Sequence, residues 1–224
     1  MDINDILSKV SIWALPVLFA ITLHEVAHGW VAKKLGDTTA FMMGRLTLNP
    51  LKHIDPIGTI LVPLVLLVLG GFIFGWAKPV PVNTRNLRNP HRDMAIVAIA
   101  GPLSNLAMAI AWAVLWKIGE FFTGSGNDFF GTPLMLMGYA GVVINLILAV
   151  LNMLPLPPLD GGRVLSGLLP PRLSDQFNRI EPFGFFILIG LMIFGILSQI
   201  LSPIINFFFT LLDQLFSFSA IPMA

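Results

Sequence analysis

The sequence contains no cysteine and unusually little charge. Without cysteine, disulfide bonds and thiolate metal sites are excluded. Only 11% of the 224 residues are charged, against about 25% in soluble domains, and 56% are hydrophobic, with a mean hydropathy of +0.85. A soluble globule would lack the polar surface to cover itself, a disordered chain needs far less apolar mass, and a net charge of +1 argues against nucleic-acid binding. The composition predicts a polytopic membrane protein.

Five apolar stretches approach the ~20 residues that a membrane-spanning helix needs. They are 11–32, 57–76, 94–116, 133–154 and 183–209. The last contains Ser202-Pro203, which predicts either one kinked span or a span followed by an interfacial helix. We therefore expect an all-α polytopic membrane protein with four to six transmembrane helices.

Two polar segments between these stretches have the pattern of short strands. Residues 45–48 alternate weakly between polar and apolar side chains. In Lys78–Val82, two prolines two positions apart are incompatible with a helix and favour an extended segment or an edge strand. We expect both to be short membrane-associated strands.

The basic residues indicate how the chain is oriented. The stretch 57–76 carries Pro63, Gly70, Gly71 and Gly75, so it either crosses the bilayer or returns as a re-entrant hairpin. If it crosses, the 13 Lys and Arg residues divide 5 to 8 between the two sides; if it returns, they divide 11 to 2. Because cytoplasmic loops are enriched in Lys and Arg, the second division predicts a re-entrant hairpin, four spans and an external N-terminus.

The first span contains a metal-binding motif, His24-Glu25-Val26-Ala27-His28. On a helix, histidines at i and i+4 project from one face and can bind one Zn²⁺. The glutamate between them can act as general base on zinc-bound water. The alternative is a metal-free packing role, but ionisable groups within a span are costly and indicate a functional site.

A catalytic zinc needs three protein ligands and one open position, so a third ligand must come from elsewhere. The candidates are His53, Asp55, His91, Asp93, Glu120, Asp128 and Asp160. Asp160 is favoured because it follows a proline-rich span end and precedes Gly161-Gly162, where backbone can approach closely. The alternative is that Asp160 is only a helix N-cap. With 57–76 re-entrant, Asp160 lies on the same side of the membrane as Lys33, the side nearer His24.

Two spans carry stripes of small residues with asparagine. They are Ala98, Gly101, Asn105 and Ala109, and Gly138, Gly141, Asn145, Ala149 and Asn152. Such stripes are typical of close helix packing with interhelical hydrogen bonds. The alternative is that Asn105 or Asn152 faces the active site and binds the substrate backbone or an oxyanion. His53 and Asp55 either orient the site or pack within their loop.

Three motifs in this order resemble the site-2 proteases, intramembrane zinc metalloproteases of peptidase family M50. They are His24-Glu25-x-x-His28, Gly101-Pro-Leu-Ser-Asn105 and Asn152-x-Leu-Pro-x-Pro-x-Leu-Asp160-Gly-Gly-Arg163. The resemblance covers about residues 15–170 and is to a compact form without a PDZ or CBS domain. It implies that His24, His28 and Asp160 bind one zinc ion and that Glu25 is catalytic.

The expected function is therefore hydrolysis of peptide bonds in membrane-spanning proteins, in a multi-pass cell-membrane protein whose active site is nearer the cytoplasm. We expect one membrane-embedded domain over 1–224, with a catalytic core at about 11–170 and a C-terminal span or spans at 183–218. Serine and aspartyl intramembrane proteases are disfavoured because Gly-x-Ser-Gly and Gly-x-Gly-Asp are absent. The alternative function is a metal-ion transporter that uses the same His, Glu and Asp cluster as a transit site. The expected partners are a membrane-protein substrate and the lipid bilayer, not nucleic acid, and no pattern defines an oligomeric state.

Overall fold

The computed structural model describes residues 3–61 and 77–219, which are mainly helical. The helices are α1 (Ile3–Lys34), α2 (Thr39–Met42), α3 (Pro90–Gly124), α4 (Asp128–Asn152), α5 (Asp160–Leu168), α6 (Pro171–Asn178), α7 (Glu181–Ile193) and α8 (Ile196–Phe216). Short 3₁₀ turns lie at Pro50–Lys52 and Thr84–Asn86, and a π-helical turn lies at Pro56–Leu61.

Four of these helices are long and apolar enough to cross a membrane, as the sequence predicts. They are α1 from Leu7 onward, α3, α4 and α8. Large apolar side chains cover their outer faces; Leu7 is 59% exposed and Phe207 64% exposed. Exposed apolar surface on this scale would be an aggregation hazard in water but suits contact with lipid. The chain is a multi-pass membrane protein.

The predicted small-residue stripes are where α3 and α4 meet. A Cβ added at Gly138 would come within 2.5 Å of the backbone of Trp116, so the two helices approach closely there. Asn105 of α3 and Asn145 of α4 are fully buried and hydrogen-bonded to each other at 2.8 Å. The packing interpretation of the stripes is confirmed.

The break in the last apolar stretch lies earlier than the sequence suggested. Pro203 sits inside α8, whereas the chain turns at Gly195, which has φ of +71°. A residue with positive φ ends a helix, and glycine adopts that conformation without steric cost. A proline inside a membrane helix removes only one backbone hydrogen bond and is tolerated there. The expected interruption at Ser202-Pro203 is therefore wrong, and α7 and α8 are separate helices.

The predicted short strands are not found in the described ranges. Residues 46–48 form bends, and Lys78–Val82 is irregular backbone without a strand partner. Pro79 and Pro81 have no N–H to donate to a ladder, and neighbouring backbone groups bind side chains, as described below. The strand prediction is wrong because side chains replace the partner strand.

The stretch 57–76 falls mostly on residues 62–76, outside the described ranges, so the re-entrant hairpin stays a prediction. The residues flanking it are in contact, because the backbone N–H of Lys78 donates to the carbonyl of His53 at 2.9 Å. The N–H of Arg88 likewise donates to the carbonyl of Leu35 at 3.2 Å. The end of α1 and the segment that leads into α3 therefore lie at one end of the bundle.

Candidate metal centre

The structure brings His24, His28 and Asp160 together in one buried cluster. The histidines lie one turn apart on α1, and Asp160 is the first residue of α5. The Nε2 atoms of the two histidines are 3.0 Å apart, and Oδ2 of Asp160 lies 3.1 and 3.2 Å from them. Three possible ligand atoms from distant parts of the chain thus form a nearly equilateral triangle.

Both histidines use their other ring nitrogen to bind an oxygen. Nδ1 of His24 lies 2.6 Å from Oδ1 of Asn105, and Nδ1 of His28 lies 2.7 Å from the carbonyl oxygen of Val97. Because these partners accept hydrogen bonds, Nδ1 is the donor in each ring, and Nε2 of the neutral ring keeps a free lone pair. Outer hydrogen bonds of this kind are typical of metal-binding histidines.

The donor set fits a zinc ion. With each neutral ring protonated on Nδ1, two Nε2 lone pairs converge on a carboxylate oxygen. Among the described residues, Oδ2 of Asp160 is buried without a hydrogen-bond partner. Three acceptors this close repel each other unless a cation lies among them. Ligand atoms around a tetrahedral zinc are about 3.3 Å apart, given bonds of about 2.0 Å, and the observed separations are close to this.

Local backbone explains why Asp160 reaches the histidines. The N-cap of α5 is Leu159, so the expected alternative that Asp160 is an N-cap is wrong. Gly161 packs against the end of α4, where a Cβ would lie 2.5 Å from the carbonyl oxygen of Leu154. This close approach sets the start of α5 against the loop that follows α4, while α5 itself packs against α3. The Asp160 carboxylate thereby faces the two histidines of α1.

Gly101 of α3 lies directly beside the cluster. A Cβ at this position would overlap with Nε2 of His28 and would lie 2.6 Å from Nε2 of His24. Any larger side chain would therefore occupy the space between the two imidazole rings. The absence of a side chain at Gly101 keeps both ligand atoms accessible.

Glu25 is held by a segment that lies across the site. We call residues 77–83 the site loop. The backbone N–H of Val80, at its centre, donates to Oε2 of Glu25 at 2.6 Å. Glu25 is half-buried and Val80 is buried. Within the described residues, Oε1 of Glu25 has no hydrogen-bond partner, so one carboxylate oxygen is fixed and the other remains available.

The site loop is anchored by side chains on both sides of Val80. The guanidinium of Arg45 donates to the carbonyl of Lys78 at 2.9 Å and to that of Pro79 at 3.4 Å. At the other end, the backbone N–H of Asn83 donates to Oδ2 of Asp37 at 2.7 Å. The position of Val80 over Glu25 thus depends on one buried cation and one buried anion.

Asp37 stabilises the connection between α1 and the site loop. Its Oδ1 accepts from both the hydroxyl and the backbone N–H of Thr39 and from Nδ2 of Asn86. Burial alone would raise the pKa of Asp37, but these bonds and the one from Asn83 hold its pKa below the usual range. The fold therefore favours the charged carboxylate.

We expect Asp37→Asn to destabilise the protein by about 2 kcal/mol, the size of a hydrogen bond to a charged group. The asparagine side chain has one accepting oxygen where aspartate has two. Either the N–H of Asn83 or the donors of Thr39 and Asn86 therefore lose their acceptor. Thermal unfolding in detergent measures this, with the exposed Asp175→Asn as matched control. The folded-state pKa is lowered, so the contribution is complete above the ordinary pKa of aspartate and disappears as the pH falls through the folded value. A difference in stability between Asp37→Asn and wild type that stays constant as the pH falls through the folded-state pKa of Asp37 would contradict this account.

The other candidate ligands lie elsewhere and have other roles. The two histidines bind backbone carbonyls: His53 donates to Thr47, and His91 donates to Leu169. Two of the aspartates accept from backbone N–H groups of nearby residues, Asp55 from Ile57 and Gly58 and Asp93 from Asn89. Glu120 forms an ion pair with Lys117, and Asp128 is exposed. His53 and Asp55 thus act within their loop, which favours the packing interpretation.

The two asparagines expected to bind substrate are placed differently. Asn105 is fully buried and contacts His24, whereas Asn152 is half-buried and donates to the carbonyl of Leu148. The amide of Asn105 is used within the protein, which favours a supporting role over direct substrate contact. Substrate binding by Asn105 or Asn152 stays a prediction.

Sequence reasoning missed the contact of Val80 with Glu25 and the anchoring roles of Arg45 and Asp37. The Val80 contact uses only backbone, so no residue type signals it. Asp37 carried one local signal, since an acidic residue just after a helix and before Thr38-Thr39 often accepts from backbone N–H groups.

Comparison with known proteins finds related sequences over most of the chain. Residues 128–195 match the family model for Peptidase family M50. The chain is 40% identical to YwhC of Bacillus subtilis, over 89% of this chain and 88% of that protein. It is 30% identical to Rip2 of Mycolicibacterium smegmatis, over 96% and 78% respectively. Both are named as candidate zinc metalloproteases. MJ0392 of Methanocaldococcus jannaschii, named as a zinc metalloprotease, is 25% identical over 87% of this chain and 47% of its own. No solved structure matches.

Proposed function

Because this chain belongs to peptidase family M50, we propose that it is a zinc metalloendopeptidase of the site-2 type, which hydrolyses peptide bonds of membrane-spanning proteins. The observation that carries this proposal is the triangle of lone-pair atoms from His24, His28 and Asp160, next to Glu25. The names of the relatives favour a metalloprotease over a metal-ion transporter.

In this proposal His24, His28 and Asp160 hold the zinc. A zinc ion bound there would polarise the scissile carbonyl and lower the pKa of a water molecule. Helices α1, α3, α4 and α5 all contribute to the site or its support, which favours one domain with a catalytic core at about 11–170. The apolar surroundings exclude bulk water, so electrostatic interactions in the site are strong.

Glu25 acts as the general base. Its free Oε1 takes a proton from the water while the water oxygen forms a bond to the carbonyl carbon. Glu25 then gives that proton to the amide nitrogen as the C–N bond breaks, so the products are a carboxylic acid and an amine. The Val80 N–H keeps Oε2 in place during both transfers, because a carboxylate held at one oxygen has fewer orientations to sample.

A transmembrane substrate must unwind before cleavage, because helical hydrogen bonds occupy its carbonyls. The site loop offers backbone groups to such an unwound segment. In the described part of the chain, the N–H of Val82 and the carbonyls of Val80 and Val82 have no backbone partner. Pairing along this edge would place a substrate strand beside Glu25.

The direct test is proteolysis by the purified full-length protein. A panel of single-span substrates is incubated in detergent or liposomes with the enzyme, with a zinc chelator, and with chelator followed by added zinc. We expect cleavage that the chelator abolishes and zinc restores. Chelator-insensitive cleavage would contradict the zinc mechanism, and zinc uptake into liposomes without cleavage of any substrate would favour the transporter.

We further propose that the active site is nearer the cytoplasm and that the N-terminus is external. Because the chain lacks cysteine, a single introduced cysteine reports its own side of the membrane. We expect an impermeant maleimide to label Ser125→Cys in intact cells, and to label Thr84→Cys and Gln176→Cys only after permeabilisation. All three positions are exposed. Labelling of Thr84→Cys from outside would contradict both the orientation and the re-entrant 57–76.

A further inference from the structure

A chain of side-chain amides connects the proposed metal centre to α4. Oδ1 of Asn105 lies 2.6 Å from Nδ1 of His24, and Nδ2 of Asn105 donates to Oδ1 of Asn145 at 2.8 Å. Nδ2 of Asn145 then donates to the carbonyl of Gly141 at 2.8 Å. Neither asparagine is exposed at all. Buried amides between membrane helices are costly unless they are hydrogen-bonded, and each side-chain oxygen and nitrogen of these two asparagines has a partner.

Backbone carbonyls determine which group donates in each hydrogen bond between these amides. The carbonyls of Gly141 and Ala20 can only accept, so the NH₂ group of each asparagine must point to its carbonyl; for Asn105 the distance to Ala20 is 3.2 Å. This leaves Oδ1 of Asn105 facing His24. An oxygen there requires a proton on Nδ1 of His24, and therefore a free lone pair on Nε2 when the ring is neutral.

His28 is supported in a simpler way. Its Nδ1 lies 2.7 Å from a single backbone carbonyl, that of Val97, which is part of α3. His24 instead depends on two side chains from two helices, with anchors on α1 and α4. The two histidines therefore differ in what keeps them in place, and only His24 depends on how α4 packs.

We propose that Asn105, oriented by Asn145, is a positioning residue that fixes the tautomer and ring orientation of His24. This inference rests on the proposed function, since it concerns a ligand of the same zinc site. It assigns Asn105 a task other than substrate contact. It also explains why the small-residue stripes of α3 and α4 include an asparagine at the level of the metal site, where packing alone would favour an apolar residue.

The first test is zinc affinity, measured by competition with a chelator on the full-length protein in detergent. Asn105→Ala should weaken zinc binding by about ten- to a hundredfold, the usual effect of losing an outer partner of a metal ligand. Asn145→Ala should have a smaller effect, because Ala20 still orients Asn105. Met108→Ala is the matched control, since it removes a buried side chain of α3 without an amide; it should bind zinc as wild type does. Wild-type affinity in Asn105→Ala would overturn the inference.

The second test observes the tautomer directly and does not depend on activity, and its decisive spectrum is that of the wild-type protein. ¹⁵N spectra of histidine-labelled, zinc-free protein are recorded at a pH that keeps the imidazoles neutral, and the four histidines are assigned by single substitutions. We expect His24 to carry its proton on Nδ1 in wild type and to show the Nε2-protonated form in Asn105→Ala. A wild-type His24 protonated on Nε2 would overturn the inference. If wild type shows the expected tautomer and binds zinc, and Asn105→Ala binds it more weakly, but no substrate is cleaved, the positioning role of Asn105 stands and the proposed function fails.

Discussion

Glu25→Gln protein should bind zinc normally and cleave its membrane substrate about 10²- to 10⁴-fold more slowly, which is the range that a positioned general base contributes. The substitution keeps the size of the side chain and an oxygen that accepts from the Val80 N–H, so the site loop should stay in place. It removes the ability to take a proton from water. The measurement is kcat/KM for a single-span substrate, together with the zinc content of the purified protein.

The matched control for Glu25 is Glu181→Gln, an exposed glutamate in the first turn of α7, which should cleave at the wild-type rate. If Glu25→Gln retained zinc and cleaved as fast as wild type, Glu25 would not be the base. If it lost zinc, the carboxylate would instead be needed to hold the metal centre together. The two measurements separate these results.

Gly101→Ala should eliminate both zinc binding and proteolysis while leaving the protein folded. The new methyl group would occupy the space where the Nε2 atoms of His24 and His28 lie. One of the rings must then rotate away, and a site with two remaining ligands binds zinc far more weakly. In helices, alanine is otherwise more stable than glycine by about 1 kcal/mol, so the loss should not arise from a weaker α3.

Gly124→Ala provides the control, because it is the same substitution in the same helix with open space around the added Cβ. It should bind zinc and cleave substrate as wild type does. Thermal unfolding of both variants in detergent, alongside zinc content and activity, completes the comparison. A Gly101→Ala protein with a full complement of zinc would show that the rings accommodate a methyl group and that the close approach of α3 is not needed.

The cluster was predictable from sequence because its chemistry is concentrated in short patterns. Two histidines at helical spacing define a face, and their presence in an apolar span signals a function. Asp160 was predictable only through its flanking prolines and glycines and the side of the membrane assigned to it. The links of Val80 to Glu25 and of Asn105 to His24 join residues far apart in sequence, and no local pattern specifies which pairs meet.

The membrane spans were predictable because each depends on a long apolar run. Features that depend on the conformation of a single residue were not predictable. Hydropathy gives five apolar stretches, and the division of the basic residues between the two sides of the membrane reduces them to four predicted spans. The break at Gly195 depends on the positive φ of this single glycine, one of 20 in the chain, while Pro203, the stronger sequence signal, lies inside a helix. Pro79 and Pro81 correctly excluded a helix over 78–82, but the predicted strand does not form there. The charged groups of Arg45 and Asp37 bind backbone groups of the site loop in place of a partner strand.

The separation of the ligands along the chain has a consequence for biosynthesis. His24 and His28 emerge from the ribosome with the first span, whereas Asp160 follows the helix α4, after more than half of the chain has been made. A nascent chain therefore has no complete metal centre while its early spans enter the bilayer among other newly inserted proteins. The proposed activity therefore requires assembled helices and cannot precede the synthesis of α5.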